Sequence, residues 1–175
     1  MQDGNQSNAM TREPGNQQSS GQHSSRPENI PSRAAIGGHP LHPMMVHFPV
    51  AALLGVLGAD IGWFFTGDAF WARMGLWLAG VGAIGGWLAS IAGLIDLLTV
   101  SAIRRLITGW QHAILAVMML SIATLNWLLR LMWGEIVILP WGMVAGWLTA
   151  LLIAMAAYLG GRLVYEKAVG VDVEQ

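Results

Sequence analysis

The chain lacks cysteine altogether. That excludes disulfides, thiolate-bound zinc, iron–sulfur clusters and covalent c-type haem attachment, and leaves imidazole, carboxylate and methionine as metal ligands. Charge is also scarce. Only 11% of the 175 residues are charged and the net charge is −1, against about 25% charged residues in a soluble domain. A nucleic-acid partner is therefore not expected, since no basic excess exists to neutralise phosphates. No run of apolar residues opens the chain, so no cleavable secretory signal is expected. What the sequence has instead is hydrophobicity: 54% hydrophobic residues, with mean hydropathy +0.52. Such a composition belongs to a membrane protein.

Residues 1–36 are rich in Gln, Ser, Asn, Gly and Pro. They bury too little apolar surface to offset the entropy of ordering, so a disordered tail is expected there. Residues 37–175 form the second unit. Within it, apolar segments run over about 43–65, 70–100, 109–132 and 139–164, each meeting the roughly 20 residues a bilayer crossing needs. The links between them are short, which makes successive helices antiparallel neighbours. The expected fold is all-α: an integral membrane up-down-up-down four-helix bundle.

Arg33, Arg104, Arg105, Arg162 and Lys167 flank the ends on the N-terminal side, and Arg73 and Arg130 the opposite side. The excess predicts both termini in the cytoplasm of a bacterial inner membrane. Trp63, Trp71, Trp127, Trp133 and Trp141 fall near the far ends, as an interfacial aromatic belt would. Small residues recur every four positions, at Gly58 and Gly62, at Gly82, Gly86 and Ser90, and at Gly142, Gly146, Ala150 and Ala154. Such stripes let membrane helices approach closely. Plain packing within the chain explains them; room for a flat cofactor or a homo-oligomer contact is the sharper alternative.

The chemistry concentrates in GGHPLHPMMVHFPV at residues 37–50. Pro43 suits a first helical turn, and Pro49 frees the Met45 carbonyl because proline has no N–H to donate. His39, His42 and His47 lie here, and His112 begins the third segment at the same membrane level. A ring nitrogen facing lipid is costly, so His47 is expected to face helices, a cavity or a ligand. Two chemistries fit. In one, His47 and His112 ligate a b-type haem axially, with Arg104, Arg105 or Arg162 pairing with its propionates. In the other, His39, His42 and His47, with Asp96, bind a divalent metal. Against both stands a structural role, in which the histidines satisfy backbone carbonyls and the His-Pro turn only shapes the chain. Asp96 is otherwise expected to pair with Arg104, Arg105 or Arg162. Asp60 is expected to pair with Arg73 or Arg130, since an unpaired charge at that depth is expensive. Asn126 is expected to bond between helices.

GHPLHPMMVHFPVA, AGLIDLL at Ala92–Leu98, GWQHA at Gly109–Ala113 and YLGGRLVYEKAVGV at Tyr158–Val171 together resemble the bacterial membrane proteins grouped as domain of unknown function 2231. The resemblance spans about residues 37–171, and the first and last motifs are the specific ones. It implies a four-span helical membrane protein. Some relatives are joined to Rieske or cytochrome c domains, which implies by association a redox role that this chain, with no redox domain in its sequence, would fill through a separate redox protein. The matching histidines are His39, His42, His47 and His112. No nucleophile–base pair or phosphate loop is present, so a carrier or accessory subunit is favoured over an enzyme. The rival reading is a cofactor-free membrane scaffold.

Overall fold

The computed structural model describes residues 30–171. The expected disordered tail lies mostly outside them, but its last part, 30–36, is held in place. Ile30 and Val169 form a bridge, the Ile30 N–H donating to Ala168 O at 3.2 Å and Gly170 N–H to Ile30 O at 2.9 Å. Ala35–Ile36 and His39–Pro40 then pair as a two-residue antiparallel hairpin. Gly37 and Gly38 both have positive φ, at 57° and 81°, the turn whose twist matches paired strands and which glycine enters without strain. The polar composition hid this order, because backbone pairing and a neighbouring carboxylate, not apolar burial, hold the segment.

Helix α1 (Leu41–Met45) and α2 (His47–Thr66) follow. The break at Val46 has its cause in Pro49, which cannot donate to the Met45 carbonyl. Gly67, at φ 64°, ends α2 by donating to Trp63 O at 2.8 Å, a left-handed cap. Asp68 caps α3 (Ala69–Thr99), accepting from Phe70 N–H at 2.8 Å. A short α4 (Ser101–Arg104) leads to α5 (Ile107–Trp133), then a tight and a wide turn over 134–142, then α6 (Met143–Tyr165).

Three helical stretches are long and apolar enough to cross a membrane: Leu41–Thr66, Ala69–Thr99 and Ile107–Tyr165. The last, 59 residues, folds back on itself at Leu139, whose backbone is extended (φ −113°, ψ 130°), so α5 and α6 lie side by side. Helix α2 packs on α3, α3 on α5, α5 on α6 and α6 on α2, which closes a ring.

The interior is narrow. Leu53, Met119, Leu120, Ala123, Leu152 and Ile153 form its middle. Helix α3 faces them with small residues: a Cβ on Gly82 would strike Leu53, and one on Gly86 would strike Leu120. On α6, a Cβ on Gly146 would lie 2.9 Å from Leu57. These stripe positions are used inside the chain, whereas Gly58 faces outward with nothing near it. Outside, Leu54, Ile84, Ile91, Leu125 and Leu151 stay exposed, far more apolar surface than a water-facing protein tolerates.

Two ends can now be distinguished. The strap end carries residues 30–40, the starts of α2 and α5 and the ends of α3 and α6. The turn end carries Gly67 and residues 134–142.

Candidate functional site

At the strap end the structure brings together His42 of α1 and His112 of α5. Their ring centroids are 6.0 Å apart and their planes cross at 87°. Each ring is fixed by one main-chain carbonyl. His42 Nδ1 lies 2.9 Å from Ala89 O on α3, and His112 Nδ1 lies 2.9 Å from Ala156 O on α6. A carbonyl has no proton to give, so each Nδ1 carries the hydrogen and donates it. In the neutral ring that leaves Nε2 as the lone-pair nitrogen, the arrangement that orients histidine ligands at metal centres.

Glycines make room for both rings. A Cβ on Gly93 would lie 2.9 Å from His42 Nδ1, and one on Gly160 would lie 3.3 Å from His112 Cε1. Gly93 belongs to AGLIDLL and Gly160 to YLGGRLVYEKAVGV, so the four sequence motifs meet at this pair of rings.

His47, expected to face His112, stands instead on the exposed side of α2, its Nδ1 at 3.5 Å from Met44 O. His42 and His47 are five residues apart, about 140° around a helix of 3.6 residues per turn, so where α1 packs on α3 with His42 inward, His47 turns outward. His39 is exposed too, donating to Gly37 O at 2.9 Å within the hairpin.

Asp96 does not pair with an arginine side chain. Its carboxylate, buried on α3, accepts from Ser32 Oγ at 2.6 Å, Arg33 N–H at 2.8 Å and Ala34 N–H at 2.9 Å. It pins the strap to the bundle, and the Leu41 N–H then donates to Ala34 O at 2.8 Å. Asp96 thus sets where α1 begins, and with it where His42 sits. With its carboxylate so occupied, Asp96 does not join the histidines, and no cluster of three or more histidine or acidic side chains with metal-binding spacing occurs among the described residues.

The basic residues at this end are partly engaged. Arg104 donates to Leu98 O at 3.1 Å, closing the end of α3. Arg105 is exposed. Arg162 donates from Nε and Nη2 to Glu166 at 2.8 and 2.9 Å, and these bonds hold the Glu166 carboxyl below the usual carboxylate range. The pair is solvent-exposed and screened.

A second polar site lies near the turn end. Arg130 Nη2 meets Asp60 Oδ2 at 2.7 Å with both side chains almost fully buried, 2% and 1% exposed. Arg130 Nε also donates to Asn126 Oδ1 at 3.0 Å, and Asn126 Nδ2 to Gly142 O at 3.4 Å. Arg130 is the expected partner of Asp60; Arg73 is exposed outside. Gly75 and Gly142 make the room: a Cβ on either would come within 2.8 and 2.9 Å of the guanidinium. Beside Asn126 and Thr149 is a cavity of about 10 Å³, the size of one water.

A family model described as "Predicted membrane protein (DUF2231)" matches residues 38–173. The chain belongs to that family. No curated protein and no solved structure matches it. The matched region of this DUF2231 protein contains His42, Asp96 and His112 and both ends of the bundle. Sequence reasoning placed the histidines at one level but missed the roles of Ala89 and Ala156, whose contribution is a backbone carbonyl and carries no side-chain signal. It also missed Gly93, although that residue lies in one of the motifs that mark the family, whereas close packing at Gly160 was expected and is found against His112.

Proposed function

We propose that this protein crosses the bacterial inner membrane four times with both termini in the cytoplasm, and that it is an electron-transfer subunit holding a b-type haem between His42 and His112. Four long helices of alternating direction support the crossing number. The basic residues support the orientation: Arg130 is neutralised by Asp60, so Arg73 alone stands against Arg33, Arg104, Arg105, Arg162 and Lys167.

The haem reading rests on one observation, the neighbouring pair of imidazoles with both Nδ1 atoms tied to carbonyls. With ring centroids 6.0 Å apart, His42 and His112 would hold such a group from α1 and α5. The donor set fits the group, since imidazoles with Nε2 uncommitted would ligate its iron. Gly93 and Gly160 give both rings their seats, and Arg105 with Arg104 stands at the same end for propionates. His42 thereby replaces His47 as the partner of His112. The haem iron would supply one-electron chemistry; the chain's part is to fix two rings on separate helices and keep them half-buried. A separate redox protein would exchange the electron.

The test is an absorption spectrum of the protein purified in mild detergent, oxidised and reduced. A Soret band that disappears in both His42→Ala and His112→Ala and survives in His47→Ala is the expected result. A colourless protein carrying stoichiometric zinc or copper overturns the haem and makes the pair a metal site. A colourless, metal-free protein, even when haem is abundant, overturns both and leaves a cofactor-free scaffold.

A further inference from the structure

On the outer face of the turn end, α3 carries an open groove of about 390 Å³ lined by Phe70, Arg73, Met74, Trp77 and Leu78. Its position follows from helix length. Helix α3 has 31 residues and so runs about 46 Å at 1.5 Å per residue, against a hydrocarbon core of about 30 Å. Helix α3 therefore outreaches the core, and Arg73 stands in its second turn, next to the end. Phe70 and Trp77 are three and four residues from Arg73 and share its face. They stay 52% and 73% exposed, as amphipathic rings at an interface do.

The charge in this groove is uncompensated. Among the described residues Arg73 forms no ion pair. The other guanidinium at this end, Arg130, is matched by Asp60. A groove that is apolar along its length and cationic at one point, open to the bilayer near the helix end, fits a molecule with an anionic head and an apolar tail. We propose that it binds an anionic phospholipid, with the Arg73 guanidinium on the phosphodiester and Met74, Trp77 and Leu78 against the upper part of an acyl chain. Guanidinium matches phosphate oxygens in a fork geometry. A zwitterionic lipid carries its own ammonium beside the phosphate and gains less.

Native mass spectrometry of the full chain in detergent tests this, with phosphatidylglycerol and phosphatidylcholine of identical acyl chains titrated in parallel. Retention of one phosphatidylglycerol in preference to phosphatidylcholine by about fivefold is expected, the factor one basic residue contributes near an anionic surface. Arg73→Gln reduces that preference to parity, and Arg104→Gln, at the opposite end, leaves it unchanged. Arg73 is exposed, so the variant folds; its thermal unfolding without added lipid matches the parent. Equal retention of the two lipids by the parent chain, or a preference that persists in Arg73→Gln, overturns the proposal.

Discussion

At the turn end, Asp60 and Arg130 are sealed among four helices and satisfy mainly each other. At the strap end, His42 and His112 are half-buried, and each spends one nitrogen on a carbonyl while the other is left over. The first arrangement holds helices together: it ties α2 to α5 and, through Asn126, to the start of α6. The second holds rings in place without using up their chemistry. Buried polarity in lipid is costly, and the two ends meet that cost differently, one by mutual neutralisation and one by anchoring each ring to a main-chain carbonyl. The apolar middle of Leu53, Leu120 and Ile153 separates them, so damage to one end should leave the other standing.

The largest effect is expected from Arg130→Ala. It strands the Asp60 carboxylate in the interior and should cost about 3–5 kcal/mol of stability, read as a fall in detergent unfolding temperature. If the loss is under 1 kcal/mol, the pair does not clamp the helices and the contrast between the ends collapses.

Asp96→Ala comes next. It removes the acceptor for three donors of the strap, at about 1.5–3 kcal/mol for bonds to a charged group. Limited proteolysis should then cleave residues 30–40 in the variant and spare them in the parent. Any spectral band assigned to His42 should weaken with it, because Asp96 seats the strap that seats α1.

Gly75→Ala sharpens the comparison from the other side. Its methyl would sit 2.8 Å from Arg130 Nη1, and overpacking of this kind costs about 1–3 kcal/mol. The unfolding temperature should fall while the strap end keeps its resistance to protease. The smallest effect belongs to His47→Ala, within about 0.5 kcal/mol, as for an exposed residue without special contacts. A larger loss in unfolding temperature would show that His47 carries structure after all.

The membrane helices were readable because hydrophobic length is a one-dimensional quantity: about 20 apolar residues must be helical in lipid whatever surrounds them. Asp60 with Arg130 was readable for a related reason, since two opposite charges at one depth have strong cause to meet. The strap was not. Its order depends on Asp96, distant in sequence, and on backbone donors that no side chain advertises. The Gly37-Gly38 pair suits a hairpin turn, a signal that the polar residues before it obscure. The choice between His42 and His47 was likewise out of reach, because it turns on which face of the chain around α1 lies against α3.

The order of residues alone determined that this chain is helical, belongs in a membrane and gathers four of its five histidines at one end, since each of these follows from composition and from distance along a helix. Only the folded arrangement decided which histidines lie side by side, what Asp96 holds and which arginine Asp60 keeps. Those outcomes depend on rotation about helix axes and on backbone carbonyls and amides, and neither is encoded by the identity of any one side chain.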